Sequence, residues 1–399
     1  MNIVAPFGFY GFGNIGDEAT LQGFARVLDS HQGGVRAWIA SQNPRQTARA
    51  EPSLRYYRYR HGRGRYLSSW IRLMADAYVF PGGTPIMDGL GDWPLSEVAA
   101  MAGHARRVGK PVVFVGTGTE RLHRVHTRRV VTEALADYVA HWSVRSPRDR
   151  ERLLELGVPA DRITVAADMA WLMQPASADF GRRILQQHGL AGQRLVGVNV
   201  NAESLLLESE PGLFEKLAAV LDRLVASHGM RAVFLCNEIR EGETYDKAAA
   251  ARVLSYMQHK SATVSLPNEY WTPPEMMSII MACALTISTR YHFCLFSALQ
   301  SVPFLAIKRS DKVVDLCEDI RWEFGAVPGS VDVEGLTRQA GPLIVEPAHA
   351  LRHLSDQVRL MAERARRNTV ALDAMRACVG ATSRLHSLRA ALLRRVPVA

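Results

Sequence analysis

Short apolar runs alternate with amphipathic stretches along nearly all of this 399-residue chain, and that alternation constrains the fold more than any single motif. In the first half the runs are Ile3–Pro6, Val35–Ala40, Ala77–Phe80, Val112–Val115, Val139–Val144 and Ile163–Ala166. Stretches of helical spacing, such as Leu95–Val108 and Arg129–Ala136, lie between them. Brief strands separated by helices cannot pair as hairpins and imply a parallel, doubly wound sheet. The pattern lapses around Gln174-Pro175-Ala176-Ser177-Ala178 and restarts with Leu195–Asn199, Ala232–Cys236, Thr263–Leu266, Leu285–Ser288 and Phe304–Ile307. A chain of this length also exceeds one ordinary core. The expectation is an α/β protein with two Rossmann-like domains facing a cleft, residues 1–174 and 175–346, and a C-terminal helical region, 347–399.

In doubly wound sheets ligands bind beyond the carboxyl ends of the strands. Four tips of the first half fall there: the opening loop, Pro81-Gly82-Gly83-Thr84, Gly116-Thr117-Gly118-Thr119 and Arg145-Ser146. The opening loop, Gly8-Phe9-Tyr10-Gly11-Phe12-Gly13-Asn14-Ile15-Gly16-Asp17-Glu18, has four glycines in nine positions and runs into a helical pattern. Such a loop approaches a ligand closely, and the following helix start is a seat for an anion. It is neither a dinucleotide fingerprint nor a P-loop, because it lacks both G-x-G-x-x-G and G-K-[ST]. Asn14 suits a cap on the turn or helix start. Asp17 and Glu18 suit either a helix dipole or a substrate hydroxyl.

Lys and Arg number 48 against 39 acids, for a net charge of +9, which favours anionic partners: phosphorylated metabolites, acidic lipid or nucleic acid. Leu54–Arg72 carries six arginines and no acid, interleaved with Tyr56, Tyr57, Tyr59, Tyr66 and Trp70. That composition fits single-stranded nucleic acid, a sugar or a membrane surface, and equally a solvated excursion between strands. Arg384, Arg389, Arg394 and Arg395, beside Leu385, Leu388, Leu392 and Leu393, suit either an anionic bilayer or a packed final helix. Cys236, Cys283, Cys294, Cys317 and Cys378 lack metal-ligand spacing and read as thiols in a reducing compartment. With no signal peptide or spanning segment in the pattern, a cytoplasmic protein is expected.

Three ordered blocks are similar to the polysaccharide pyruvyl transferase family. The first is Gly11-Phe12-Gly13-Asn14-Ile15-Gly16-Asp17-Glu18. The second is Ser143-Val144-Arg145, then Leu153-Leu154-Glu155-Leu156-Gly157-Val158 and Asp168-Met169-Ala170. The third is Ile287-Ser288-Thr289-Arg290-Tyr291-His292, continuing to Ser301-Val302-Pro303 and Lys312-Val313. Two positions depart from the family pattern. Ser146 stands where an acid often follows the arginine, and Thr119-Glu120-Arg121 stands where the loop often ends in Gly-Pro. The resemblance implies a fold like that of the second large class of glycosyltransferases, with the first domain on the acceptor side and the second on the donor side. It also implies transfer of pyruvate from phosphoenolpyruvate to two hydroxyls of one sugar, on a cell-surface glycan or its lipid-linked precursor, as a cyclic ketal with release of phosphate. No metal or cofactor is expected, and phosphoenolpyruvate is the donor substrate.

That chemistry needs fixed cations for a carboxylate and a phosphate, a proton for a methylene carbon, and acceptors for two hydroxyl protons. Arg290 and His292, read as alternating along an extended segment, would leave one face. Lys312 would join them, with Lys308 as the other choice, and Arg145 would complete the clamp across the cleft. His292 is expected in acid chemistry or on the phosphate, and Asp17 or Glu18 at the acceptor hydroxyl. Asn14 and Gly13 are expected to shape the substrate loop. Structural alternatives stand beside these: ion pairs for Arg290 and Arg145, a corner-organising role for Asp168, helix core for Met276 and Met277, and a basic loop for His123 and His126. Two other functions remain open. One is a nucleotide-sugar glycosyltransferase; the other is a non-catalytic binder of RNA or anionic membrane. Nucleic acid is not the expected partner; peripheral contact with the inner membrane surface is compatible with a lipid-linked acceptor.

Overall fold

The computed structural model describes residues 1–31, 34–59, 65–174 and 177–393. It contains two parallel sheets with helices between successive strands. The first has β1 (Asn2–Ala5), β2 (Arg36–Ser41), β3 (Arg55–Arg58), β4 (Ala77–Pro81), β5 (Val112–Thr117), β6 (His141–Val144) and β7 (Ile163–Val165), in the order β3-β2-β1-β4-β5-β6-β7. The second has β8 (Leu195–Asn199), β9 (Arg231–Phe234), β10 (Thr263–Ser265), β11 (Leu285–Ser288), β12 (Phe304–Ile307) and β13 (Gly325–Ala326), in the order β10-β9-β8-β11-β12-β13.

The central strands read as continuous apolar runs because helices cover both faces of a parallel sheet. Every residue of β4, β5 and β8 is buried. Register turns sequence into packing: Phe80 pairs with Phe114 and Phe114 with Trp142, so three rings on neighbouring strands stack with centroids 4.8 and 4.0 Å apart. Strand β3 escaped the apolar pattern because it is an edge. Its Tyr57 is buried while Arg55 lies over the Trp38 ring and Arg58 faces solvent, the polar blunting that edge strands use. Strand β13 is too short to leave a pattern.

The chain divides into two compact units. One holds Met1–Gly11, Thr20–Met169 and Arg364–Ala399; the other holds Phe12–Ala19 and Ala170–Glu363. The opening block from Phe12 therefore belongs with the second sheet, and the expected helical region 347–399 is shared between the units at Arg364. In the first unit the Thr369–Leu393 helix packs on β5 and β6. Just before it, buried Asn368 accepts from Ser143 Oγ at 2.5 Å and donates to the Ala167 carbonyl at 3.0 Å. Arg394 and Arg395 of the basic tail, Arg60 and Arg63 of the arginine-rich stretch, and Pro175-Ala176 of the expected linker lie outside the described residues. Among the described residues no helix is long and apolar enough to cross a membrane.

Candidate functional site

Strand order locates the sites before any side chain is considered. In the second sheet the connections from β8 and from β11 leave in opposite directions, so the two neighbouring strand ends bound a crevice. Asn199 ends β8 and Ser288 ends β11, and the buried polar residues Asn201, Thr289 and Arg290 follow at once. Asn199 Oδ1 accepts from Ser288 Oγ at 3.1 Å, and Asn201 Oδ1 accepts from Thr289 Oγ1 at 2.7 Å. These bonds tie the two strand ends together.

Arg290 is 8% exposed and held by carboxylates. Its Nε and Nη2 donate to Asp246 Oδ1 at 2.9 and 2.5 Å, and Nη2 lies 2.9 Å from Glu238 Oε2. Burial opposes its charge, but Asp246 and Glu238 outweigh it and hold the guanidinium firmly protonated. Asp246 Oδ2 accepts in addition from Asn199 Nδ2 at 2.8 Å and from the Asn237 and Glu238 amides at 2.8 and 3.1 Å. One buried carboxylate thus fixes β8, the loop after β9 and Arg290 together. A second ion pair joins Arg309, after β12, to half-exposed Glu203, after β8; Arg309 Nε also donates to the Thr289 carbonyl at 2.8 Å. Burial would raise the Glu203 carboxyl, yet Arg309, Lys312 and Arg290 bring it below its usual range.

Onto this frame the opening block is laced. Asn14 bridges Glu238 in antiparallel fashion, Ile15 N donates to Asn237 O at 2.9 Å and Ile239 N donates to Gly13 O at 3.0 Å. Asn14 Oδ1 accepts from Gly16 N at 3.0 Å, an Asx turn, and from Asn237 Nδ2 at 3.2 Å. Gly13 has φ of +87°, and a Cβ there would meet Ile239 at 2.7 Å. A Cβ at Gly16 would lie 2.2 Å from His292 Nδ1, so the bare backbone lets the imidazole rest against the residue before Asp17.

Asp17 and Glu18 occupy the first turn of the Ile15–Ser30 helix. Burial, then Glu238 and Glu18, push the Asp17 carboxyl up to about 8, against the pull of Lys312 and Arg240. The half-buried Asp17 thus holds its proton more tightly than an ordinary carboxyl does. Glu18 is itself buried. Lys312 lies in the first turn of the Asp311–Asp319 helix and acts on both Asp17 and Glu203; Lys308 instead acts on Cys317. The second unit thus brings Asn14, Gly13, Asp17, Glu18, Arg290, His292 and Lys312 together.

One expectation is corrected. Arg290 and His292 do not alternate along a strand: Arg290 caps the Tyr291–Leu299 helix and His292 is its second residue, its ring 4.9 Å from that of Tyr291. The helix begins immediately after the strand, which the apolar run Tyr291–Leu299 disguised.

Arg145 lies in the first unit, 8% exposed, with Nη1 at 3.3 Å from Asp168 Oδ2 and Nη2 at 3.2 Å from Thr84 Oγ1. Its guanidinium covers Gly118, where a Cβ would come within 1.8 Å. Asp168 also accepts from Thr20 Oγ1 at 3.4 Å. Ser146, one departure from the family pattern, forms a capping box with Asp149. The other Asp149 oxygen accepts from Thr119 N and Oγ1 at 2.6 and 2.9 Å, so the two departures are tied through one carboxylate. Beyond β1 and β4, Phe7, Phe9 and Trp93 meet edge to face, with Phe9 and Trp93 centroids 5.4 Å apart. His126 pairs with Asp92 at the surface, and Met276 and Met277 are helix core.

Glu203, Glu238, Arg240, Asp246 and Arg309 were not foreseen. All but Asp246 follow strand ends of the second sheet, so the rule applied to the first half would have found them; Asp246 opens the next helix.

No curated protein matches the sequence. Solved structures of the same fold include UDP-GlcNAc 2-epimerase from Methanocaldococcus jannaschii, with TM-score 0.60 and 10% identity over 86% of this chain and 92% of that one. Another is Anabaena Alr3699/HepE in complex with UDP-glucose, with TM-score 0.57 and 13% identity over 96% and 98%. The epimerase of Neisseria meningitidis bound to UDP-GlcNAc matches at TM-score 0.59 and 9% identity over 91% and 99%. These likenesses place the fold among the two-domain, GT-B-like architectures and carry no chemistry. The family model for polysaccharide pyruvyl transferases matches residues 14–311, from the Asn14 turn to the start of the helix that bears Lys312; this chain belongs to that family.

Proposed function

We propose that the protein transfers pyruvate from phosphoenolpyruvate to two hydroxyls of one sugar, on a cell-envelope glycan or its lipid-linked precursor, forming a cyclic ketal and phosphate. The observation that carries this reading is the placing of the Asp17 carboxyl, whose hold on its proton burial, Glu238 and Glu18 strengthen, in a neighbourhood shared with the His292 ring and the Lys312 charge. A carboxylic acid that keeps its proton at neutral pH is suited to protonate carbon.

The steps balance without a further reactant. Asp17 gives its proton to the methylene carbon, leaving an oxocarbenium-like centre at C2. The first sugar hydroxyl adds there and its proton returns to the Asp17 carboxylate. The C2–O bond to phosphate then breaks, the second hydroxyl adds, and its proton leaves with phosphate. Lys312 and the start of its helix balance the donor's negative charge, and His292 hydrogen-bonds the departing phosphate. The surrounding carboxylates of Glu238 and Glu18 favour the cationic centre at C2 over the uncharged enol carbon from which it forms. Arg290 contributes by holding the frame, since Asp246 and Glu238 already take its guanidinium.

Calorimetric titration with phosphoenolpyruvate tests the reading. The wild type should bind, with affinity reduced at least about tenfold in Lys312→Ala and in His292→Ala, each substitution removing about 1.4 kcal/mol or more. Absence of binding in the wild type, with or without acceptor sugars, sinks it. UDP-sugars belong in the same series, because the structural neighbours named above include UDP-sugar complexes. Binding of a UDP-sugar alone would favour a glycosyltransferase.

A further inference from the structure

The first sheet has a switch point of its own. In the order β3-β2-β1-β4-β5-β6-β7 the connections from β1 to β2 and from β4 to β5 leave in opposite directions, so the carboxyl ends of β1 and β4 bound a crevice. Phe7 and Phe9 follow β1, while Gly83, Thr84 and Trp93 follow β4.

The three rings are held firmly. Phe7 is buried and backs the other two, with centroids 5.7 Å from Phe9 and 6.1 Å from Trp93. Phe9 lies against Gly83, where a Cβ would come within 2.8 Å of its ring. The loop that carries Trp93 is pinned through Asp88, which accepts from the His123 and Arg124 amides at 2.8 and 2.9 Å and from Thr127 Oγ1 at 2.8 Å. Beyond Trp93, Ser96 N donates to the Asp92 carbonyl at 2.8 Å. Even so, Trp93 is 37% exposed and Phe9 is partly exposed. Fixed rings that keep open area in a strand-end crevice make a preformed seat for a small molecule.

Their angle selects the chemistry of that molecule. Phe9 and Trp93 stand at 87° with centroids 5.4 Å apart, a corner with no parallel slot to sandwich a flat nucleobase. A chair-shaped sugar fits a corner, because its C–H bonds project from both face and rim toward the electron-rich aromatic faces. Polar groups flank the rings. Glu97, in the first turn of the Leu95–Arg107 helix, accepts from Tyr59 Oη at 2.5 Å, and a carboxylate has about four lone-pair sites for sugar hydroxyls to share. Thr84, next to Gly83, accepts from Arg145 Nη2 at 3.2 Å.

We propose that the Phe9–Trp93 corner of the first unit seats a pyranose ring of a glycan. That this glycan is the acceptor rests on the function proposed above, whereas the seat rests on the rings of the first unit alone.

Saturation-transfer NMR on the full chain, with no phosphoenolpyruvate present, tests it. The probes are the methyl glycosides of glucose, galactose and mannose in both anomeric forms, with uridine monophosphate as the flat-ring comparison. At least one glycoside should bind, with the strongest saturation on the C–H protons of one side of its ring. Trp93→Ala should weaken that binding at least about fivefold with the fold intact by circular dichroism, since the change removes an aromatic face. Trp93→Tyr should keep most of the affinity; Trp93→Leu, apolar but without a ring, should not. Silence from every glycoside, equal binding by the leucine variant, or uridine monophosphate bound in place of a glycoside overturns the proposal. Glycoside binding in a protein that ignores phosphoenolpyruvate removes the acceptor role and leaves the seat standing.

Discussion

Arg145 and Arg290 both follow strand ends in parallel sheets of matching order, and both are 8% exposed. Their surroundings differ. Arg145 meets the Asp168 carboxylate at 3.3 Å and a threonine hydroxyl, beside a cluster of aromatic rings on the neighbouring tips. Arg290 is clasped by two carboxylates at 2.5 and 2.9 Å, within a group of five acids that also includes Asp17, Glu18 and Glu203. The same architecture sets a guanidinium beside aromatic rings in one unit and clasps one between two carboxylates in the other. Chemistry is thus set by the residues grafted on strand ends, while the fold supplies their positions.

The largest effect should come from Arg290→Ala. Removing one partner of a buried ion pair leaves the other uncompensated, and here Asp246 would lose its cation while Glu238 keeps Arg240, at a cost of about 3–5 kcal/mol. Arg145→Ala leaves Asp168 with Thr20 among its donors and should cost roughly 2–3 kcal/mol. Urea denaturation of both variants checks the order. Equal losses would erase the distinction between the two tips.

Asp17→Asn sharpens the comparison from the acidic side. An unfolded carboxyl titrates near 3.8 and the folded one near 8, so the folded state holds a proton that the unfolded state has lost. The stabilisation from that proton is full below pH 4 and declines as pH rises through about 8. At neutral pH the asparagine variant escapes this penalty and should be more stable, by as much as about 4 kcal/mol, with a flatter pH profile and little or no transfer activity. Wild-type turnover should fall as pH rises through about 8. A stability profile identical in wild type and variant between pH 5 and 9 would remove Asp17 as the proton store.

Gly16→Ala is the next step down. The added methyl would meet the His292 ring, and overpacking of this kind costs about 1–3 kcal/mol. The imidazole must shift, so phosphoenolpyruvate affinity should fall more than stability does. Unchanged affinity would mean that the ring position beside Asp17 is immaterial.

The strands were legible because buried parallel strands are continuous apolar runs; eleven of the thirteen lie within such runs, whereas β3 reads as Arg-Tyr-Tyr-Arg at an edge and β13 has two residues. The site was legible as far as motifs reached: Asn14, Asp17, Arg290, His292 and Lys312 all gather in the second unit. Their partners were not. Glu238 and Asp246 come from the stretch after β9, some fifty residues before Arg290, and only the sheet order brings those segments together. Nor does sequence tell a helix cap from a strand residue when the helix, like Tyr291–Leu299, is apolar all round.

Asn14→Ala should have the smallest effect on stability and the most informative effect on function. The side chain receives bonds from Gly16 N and Asn237 Nδ2, and losing them costs about 1–2 kcal/mol. The backbone bridge from Asn14 to Glu238 and the Gly13 to Ile239 bond remain, so the block stays on the second sheet. What loosens is the turn that aims Asp17. Turnover should therefore fall several-fold while phosphoenolpyruvate affinity, which the proposed function assigns to Lys312 and His292, changes little. Asn14→Asp keeps the acceptor oxygen for Gly16 and should restore most of the stability, but it adds a charge beside Glu238 and Asp17 and should raise the Asp17 carboxyl further. The pH at which activity declines would then move up in Asn14→Asp. If it stays at the wild-type value, the acids of this cluster do not act on one another, and the contrast drawn between the two tips loses its electrostatic basis.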